Sequence, residues 1–123
     1  MTKLLLPKYK RLDLTARQIV MASYLYYRRN ATIMPDTEFD VLCKVVAKDW
    51  KHLDKFRQWQ LGSPEEISAS GFHCKVTMYA EDGAIVWAHD KKVNIDLDNA
   101  GPIQNWNFDK QRQVHWKSAG DNS

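Results

Sequence analysis

The segment 30–35, reading NATIMP, interrupts a chain whose flanks on both sides repeat apolar side chains at helical spacing. Asn30 tolerates a left-handed backbone at a helix end, and Pro35 cannot continue a hydrogen-bond ladder begun before it. The chain must therefore open with two helices folded back on each other. For the first, Thr15 is the expected N-cap, with Gln18 three residues on and Leu14 and Ile19 placed as a hydrophobic staple, which predicts a helix over 16–29. Its Ile19, Val20, Tyr24 and Tyr26 form a broad apolar and aromatic arc. For the second, Pro35-Asp36 opens a run in which Phe39, Leu42, Cys43, Val46, Trp50 and Leu53 keep the 3.6-residue period, so the expected helix continues to about residue 60 before Leu61-Gly62-Ser63-Pro64 stops it. Residues 1–13 read as an extended lead-in, with Leu4 to Leu6 tucked against the body.

Beyond a further turn or loop over 64–71, the pattern changes period. Residues 72–89 alternate across Glu81-Asp82-Gly83, a dipeptide-Gly signal favoured at hairpin tips, and are expected to form a β-hairpin with Phe72, Cys74, Val76 and Met78 on one side. Val93, Ile95 and Leu97 alternate again, a turn falls at 98–102, and 103–108 and 113–116 are expected to add short strands. The predicted class is α+β: an N-terminal helical hairpin (14–60) packed on a small antiparallel β-sheet drawn from the β-rich part (72–116). Residues 1–116 are expected to be a single domain and 117–123 a disordered tail.

A chain of 123 residues supports one core and little more. With two cysteines, no CxxC and no His/Cys set at metal-ligand spacing, a structural metal is not expected, and buried free thiols in a reducing compartment are. The leader MTKLLLPKYKR is far too short an apolar run for a signal peptide or a membrane span, so the protein is expected to be cytoplasmic, with no membrane partner. Its net charge of +3 comes from basic residues interleaved with acidic ones, which leaves nucleic-acid binding open without favouring it.

The candidate site is the helix junction itself, YLYYRRNATIMPDTEFD over 24–40. Aromatic rings stack on flat heterocycles, and carboxylates at a helix start accept bonds from hydroxyls or an amide. Arginines next to them meet phosphate. This segment resembles the N-terminal Ia domain of NAD-dependent bacterial DNA ligases, whose pattern runs roughly Tyr-Leu-Tyr-His, seven to nine variable residues, then Pro/Ser-Asp-x-Glu-Tyr-Asp. The resemblance covers about one seventh of the chain. It implies that Tyr26, Asp36, Phe39 and Asp40 hold the nicotinamide mononucleotide half of NAD, with Phe39 where the family has Tyr and Tyr27 where it has His. On that basis the ligand-binding residues are Tyr26, Tyr27, Arg28, Asp36, Phe39 and Asp40, Arg29 is a further candidate for phosphate, and the ligand is nicotinamide mononucleotide, NAD or an ADP-ribose derivative. The same spacing also admits a filled packing seam of Tyr24, Tyr26, Phe39 and Leu42.

Catalysis is not expected, and no cofactor is implied. Where ligase-type nucleotidyl transfer needs a Lys-x-Asp-Gly nucleophile, this chain has Ala80-Glu81-Asp82-Gly83, and a methyl group cannot attack phosphorus. No Gly-rich phosphate loop, GxSxG elbow or HExxH appears. The expectation is a non-catalytic binding module, a sensor or sponge of a size that suits a bacteriophage accessory protein. Its rivals are a module that docks a host protein through Trp59, Trp87, Trp106 and Trp116, and a nucleic-acid binder.

Overall fold

The computed structural model describes residues 8–96 and 101–114. Among them run α1 (Lys8–Arg28), α2 (Asp36–Lys48), a 3-10 turn (Trp50–His52), α3 (Lys55–Leu61), α4 (Pro64–Ala69), α5 (Met78–Asp90), β1 (Asn105–Asn107) and β2 (Arg112–Val114). The class is α+β, mostly helical, with a two-stranded antiparallel sheet in the register Asn105 to Val114, Trp106 to Gln113 and Asn107 to Arg112. No described helix is long and apolar enough to cross a membrane.

Helix α1 starts a full two turns before the expected N-cap. Thr15 is an interior residue whose hydroxyl donates to the Arg11 carbonyl 3.0 Å away, the back-bond that a mid-helix threonine adopts when it does not cap. Leu12 supplies the reason for the earlier start. It is buried, one turn before Ala16, and extends the stripe through Ile19 that faces the core. At the other end the expectation holds: Asn30 has φ +51, and the Ala31 amide returns to the Leu25 carbonyl at 2.9 Å. The segment 1–7, which includes the leucines expected to tuck in, lies outside the described residues.

The second predicted helix is three elements. α2 ends at Lys48, a 3-10 turn follows, and Asp54 caps α3 by accepting from the Arg57 amide at 2.8 Å. The apolar period runs on through Trp50 and Leu53, but Asp49 and Asp54 offer the backbone non-helical alternatives, and the period does not register a change of axis. Gly62, at φ +94, stops α3 where expected. Ser63 then caps α4, with Pro64 in its first turn.

The expected hairpin over 72–89 is overturned. Thr77 accepts from the Ala80 amide at 3.1 Å and caps α5, which takes in the whole Glu81-Asp82-Gly83 segment. Ala80, Ala84 and Ala88 stand one turn apart and are all buried, a row of small side chains that lets α5 lie close along α1. Gly83 serves the same approach: a Cβ there would stand 3.0 Å from the Met21 sulfur and 3.2 Å from the Arg17 guanidinium. Cys74 and Val76 are buried as expected, whereas Phe72, expected on their side, is exposed and Met78 belongs to α5. Val93 and Ile95 pack on the core without forming a strand. Leu97, Trp116 and the expected tail 117–123 lie outside the described residues.

A buried polar chain ties these helices together. Arg29 Nε donates to Tyr24 Oη at 2.6 Å, and Tyr24 Oη donates to Glu81 Oε2 at 2.9 Å. Arg29 Nη1 also donates to the Asp96 carbonyl at 3.0 Å, and the Asp96 amide donates to the Arg29 carbonyl at 2.8 Å. Burial pushes the Tyr24 phenol above its ordinary value, Arg29 opposes that shift, and Glu81 adds to it. The ring thus keeps the proton it gives to Glu81.

Candidate functional site

Where α1 ends and α2 begins, a cavity of about 260 Å³ opens, lined by Tyr26, Tyr27, Asp36, Phe39 and Asp40 together with Ser23, Ile33, Met34 and the end of α4. Its position follows from local rules. Left-handed Asn30 turns the chain away from α1, and extended Pro35 (φ −63, ψ 150) aims it back into α2. Asp36 and Glu38 lie in the first turn of α2, where negative charge meets unpaired amides. One further turn along, Phe39 and Asp40 face the rings of α1.

The aromatic residues divide into two groups. Tyr24 is 1% exposed and belongs to the core, while Tyr26 and Tyr27 are 53% and 45% exposed. The packing-seam reading therefore holds for Tyr24 and for the half-buried Phe39 and Leu42, which pack against the core, and not for the two tyrosines at the mouth. Tyr26 and Tyr27 meet edge to face at 4.9 Å and 84°, and Tyr27 meets Phe72 at 5.1 Å and 83°. This arrangement leaves ring surface open to a planar guest.

The arginines also separate. Arg28 lines an adjoining chamber of about 360 Å³ that shares Tyr26 and Tyr27 with the first, and its Nη1 donates to the Pro102 carbonyl at 2.5 Å. Arg29 is 7% exposed and held by Tyr24 and Asp96, so the expectation that it meets a phosphate is corrected: its guanidinium is a structural cation. Five of the six residues singled out in the sequence thus share one cavity, and Arg28 stands in the chamber beside it.

Sequence reasoning missed the floor. Ser23 is buried under Gly71, and its Oγ makes no hydrogen bond of standard geometry. The neighbouring Cys74 thiol, whose ionisation Ser23 eases, is a weak partner for it. Gly71 is needed at this spot because a Cβ would fall 1.9 Å from Ser23 Oγ and 2.8 Å from Phe39 Cζ. Replacing Gly71 with alanine is expected to destabilise the fold by about 1–3 kcal/mol and to displace Phe39 from the cavity wall. Urea unfolding would measure the loss, and unchanged stability would show that the approach is not tight.

Both thiols are shielded. Burial, with Asp40 adding to it, pushes Cys43 up to about 11, and burial, with Cys43 adding to it, pushes Cys74 up to about 12. Among the described residues no group of three His, Cys, Asp or Glu side chains is placed to hold a metal ion. No family model, no curated protein and no solved structure matches this chain.

Proposed function

We propose that the protein is a non-catalytic binding module that captures a nucleotide of the nicotinamide or ADP-ribose type at the junction of α1 and α2. The observation that carries this reading is the open cavity in which solvent-facing Tyr26 and Tyr27 oppose Phe39, with Asp36 and Asp40 at its edge. Rings supply stacking surface for a flat heterocycle, and the carboxylates accept from ribose hydroxyls or a carboxamide. At about 260 Å³ the cavity sits below the roughly 300–1,000 Å³ of drug-sized sites, which suits one nucleoside unit better than a whole dinucleotide. The chamber beside it, with Arg28 in its wall, takes the phosphate. A module of this kind holds its ligand without turning it over, as a sensor or a sponge does.

Thermal unfolding with nicotinamide mononucleotide, NAD, ADP-ribose and cyclic ADP-ribose tests the reading. A ligand present at about a hundred times its Kd stabilises the fold by roughly 2.7 kcal/mol. Tyr26→Ala and Asp40→Ala, both at exposed positions, are expected to unfold like the parent and to lose that gain. No shift with any of the four would end the proposal. In that event the rival reading, docking of a host protein, rests on the exposed aromatic edge of Tyr27 and Phe72 in place of Trp59, Trp87 and Trp106, which are half-buried, and of Trp116, which lies outside the described residues.

A further inference from the structure

A second and larger cavity, about 660 Å³, lies on the other side of α1, between that helix, α3, the start of α5 and the β-hairpin. Its volume falls within the range of small-molecule sites. The body of its wall is apolar and aromatic: Leu14, Val20, Phe56, Met78, Trp106 and Phe108. Phe56 packs against Phe108 at 5.0 Å and against Trp106 at 6.1 Å, and Trp106 against Trp59 at 5.0 Å, so one flank is a continuous plate of rings.

The polar groups in the wall are asymmetric. Apart from the exposed Tyr79 phenol, its side-chain acceptors are engaged by the protein itself: Asp13 by Arg57 at 2.7 and 3.3 Å, Asn105 Oδ1 by the Met78 amide at 3.2 Å, Asn107 Oδ1 by the Lys110 amide at 2.9 Å, and Thr77 by the Ala80 amide. Arg57 spends its donors on Asp13 and Gln60, but two other donors are left over. Asn105 Nδ2 and Trp106 Nε1 are buried in the wall without a hydrogen-bond partner, which is uncommon for buried donors. Arg17 is exposed on the cavity rim, meets no carboxylate among the described residues, and lies over Gly83. The first turn of α5 adds the positive end of a helix dipole.

We propose that this cavity binds an amphipathic organic anion, with its apolar body against the Phe56, Trp106 and Phe108 plate and a carboxylate, sulfonate or phosphate head toward Arg17 and the unpartnered donors of the β-hairpin. The site is separate from the Tyr26 cavity and does not depend on the reading of that one. The probe pair is 8-anilinonaphthalene-1-sulfonate and N-phenyl-1-naphthylamine, which differ by the sulfonate and both fluoresce in apolar surroundings. With the full chain, the sulfonate is expected to bind one to one and more tightly than its neutral analogue. Arg17→Gln, at an exposed position, should weaken the sulfonate about fivefold, as loss of a partly solvated ion pair does, and leave the neutral probe unchanged. Phe108→Ala, also at an exposed position, should weaken both about tenfold, as loss of a ring contact does. Equal affinity for the two probes, or a sulfonate affinity that survives Arg17→Gln, would overturn the proposal. So would loss of sulfonate binding on Asp40→Ala, which would place the probe in the other cavity.

Discussion

Arg29→Ala is expected to destabilise the protein by about 2–3 kcal/mol, although the sequence offers Arg29 as a second cation for phosphate beside the candidate site. The side chain is 7% exposed and donates to Tyr24 Oη at 2.6 Å and to the Asp96 carbonyl at 3.0 Å. Removing it takes one donor from the Asp96 carbonyl, which belongs to an exposed residue, and leaves the buried Tyr24 phenol oxygen without its nearest cation, a loss that costs about 1–3 kcal/mol. It also removes the guanidinium that lies 5.5 Å from the Tyr24 ring centroid. Arg29→Lys should recover little, because an ammonium cannot serve both acceptors with the fixed fork of a guanidinium. Tyr24→Phe, which strands Arg29 Nε and frees Glu81, should cost about 2 kcal/mol. Urea midpoints for the three variants decide the matter. If Arg29→Ala unfolds like the parent, the chain from Arg29 through Tyr24 to Glu81 contributes nothing to stability.

That network marks where sequence reasoning stops. Arg28 and Arg29 are neighbours of the same type, and only the packing of α5 and of the segment after it against α1 decides which one is buried. Local signals were legible where one residue type fixes the backbone. Asn30 and Pro35 set the break, Gly62 set the end of α3, and the tyrosines, Asp36, Phe39 and Asp40 converge because that break brings the helix ends together. The helix α5 was not legible as one, since an Asp-Gly pair and β-branched neighbours fit a hairpin locally. The alanines at 80, 84 and 88 carried the opposing signal, and it gains weight only once α1 lies beside them. The second cavity is harder still to read. Its wall is drawn from four separated elements, and its donors are notable only because the acceptors beside them are occupied.

The alkaline limb of stability supplies the other large effect and reports on the floor of the first cavity. Cys74 is 6% exposed, and burial, with the nearby Cys43 adding to it, raises its thiol from 9.0 to about 12. Above about pH 9 the unfolded chain gives up this proton while the native chain keeps it, so the native state binds more protons and stability falls as pH rises. The contribution is whole below about pH 9 and is lost at about 1.4 kcal/mol per pH unit toward pH 12, on the order of 4 kcal/mol across the window. Cys74→Ala carries its own packing cost of about 1–2 kcal/mol at every pH but lacks this slope. Between about pH 8 and pH 10.5 the parent should therefore lose about 2 kcal/mol more than the variant, since the rest of the chain is the same in both. Parallel curves would mean that the thiol titrates as freely in the native state as in the unfolded chain. Both thiols stand next to groups that line the first cavity, Cys74 beside Ser23 and Cys43 near Asp40. Their slow reaction with a disulfide reagent at about pH 8 should slow further when that cavity is filled, because thiolate formation then requires an opening that the ligand opposes.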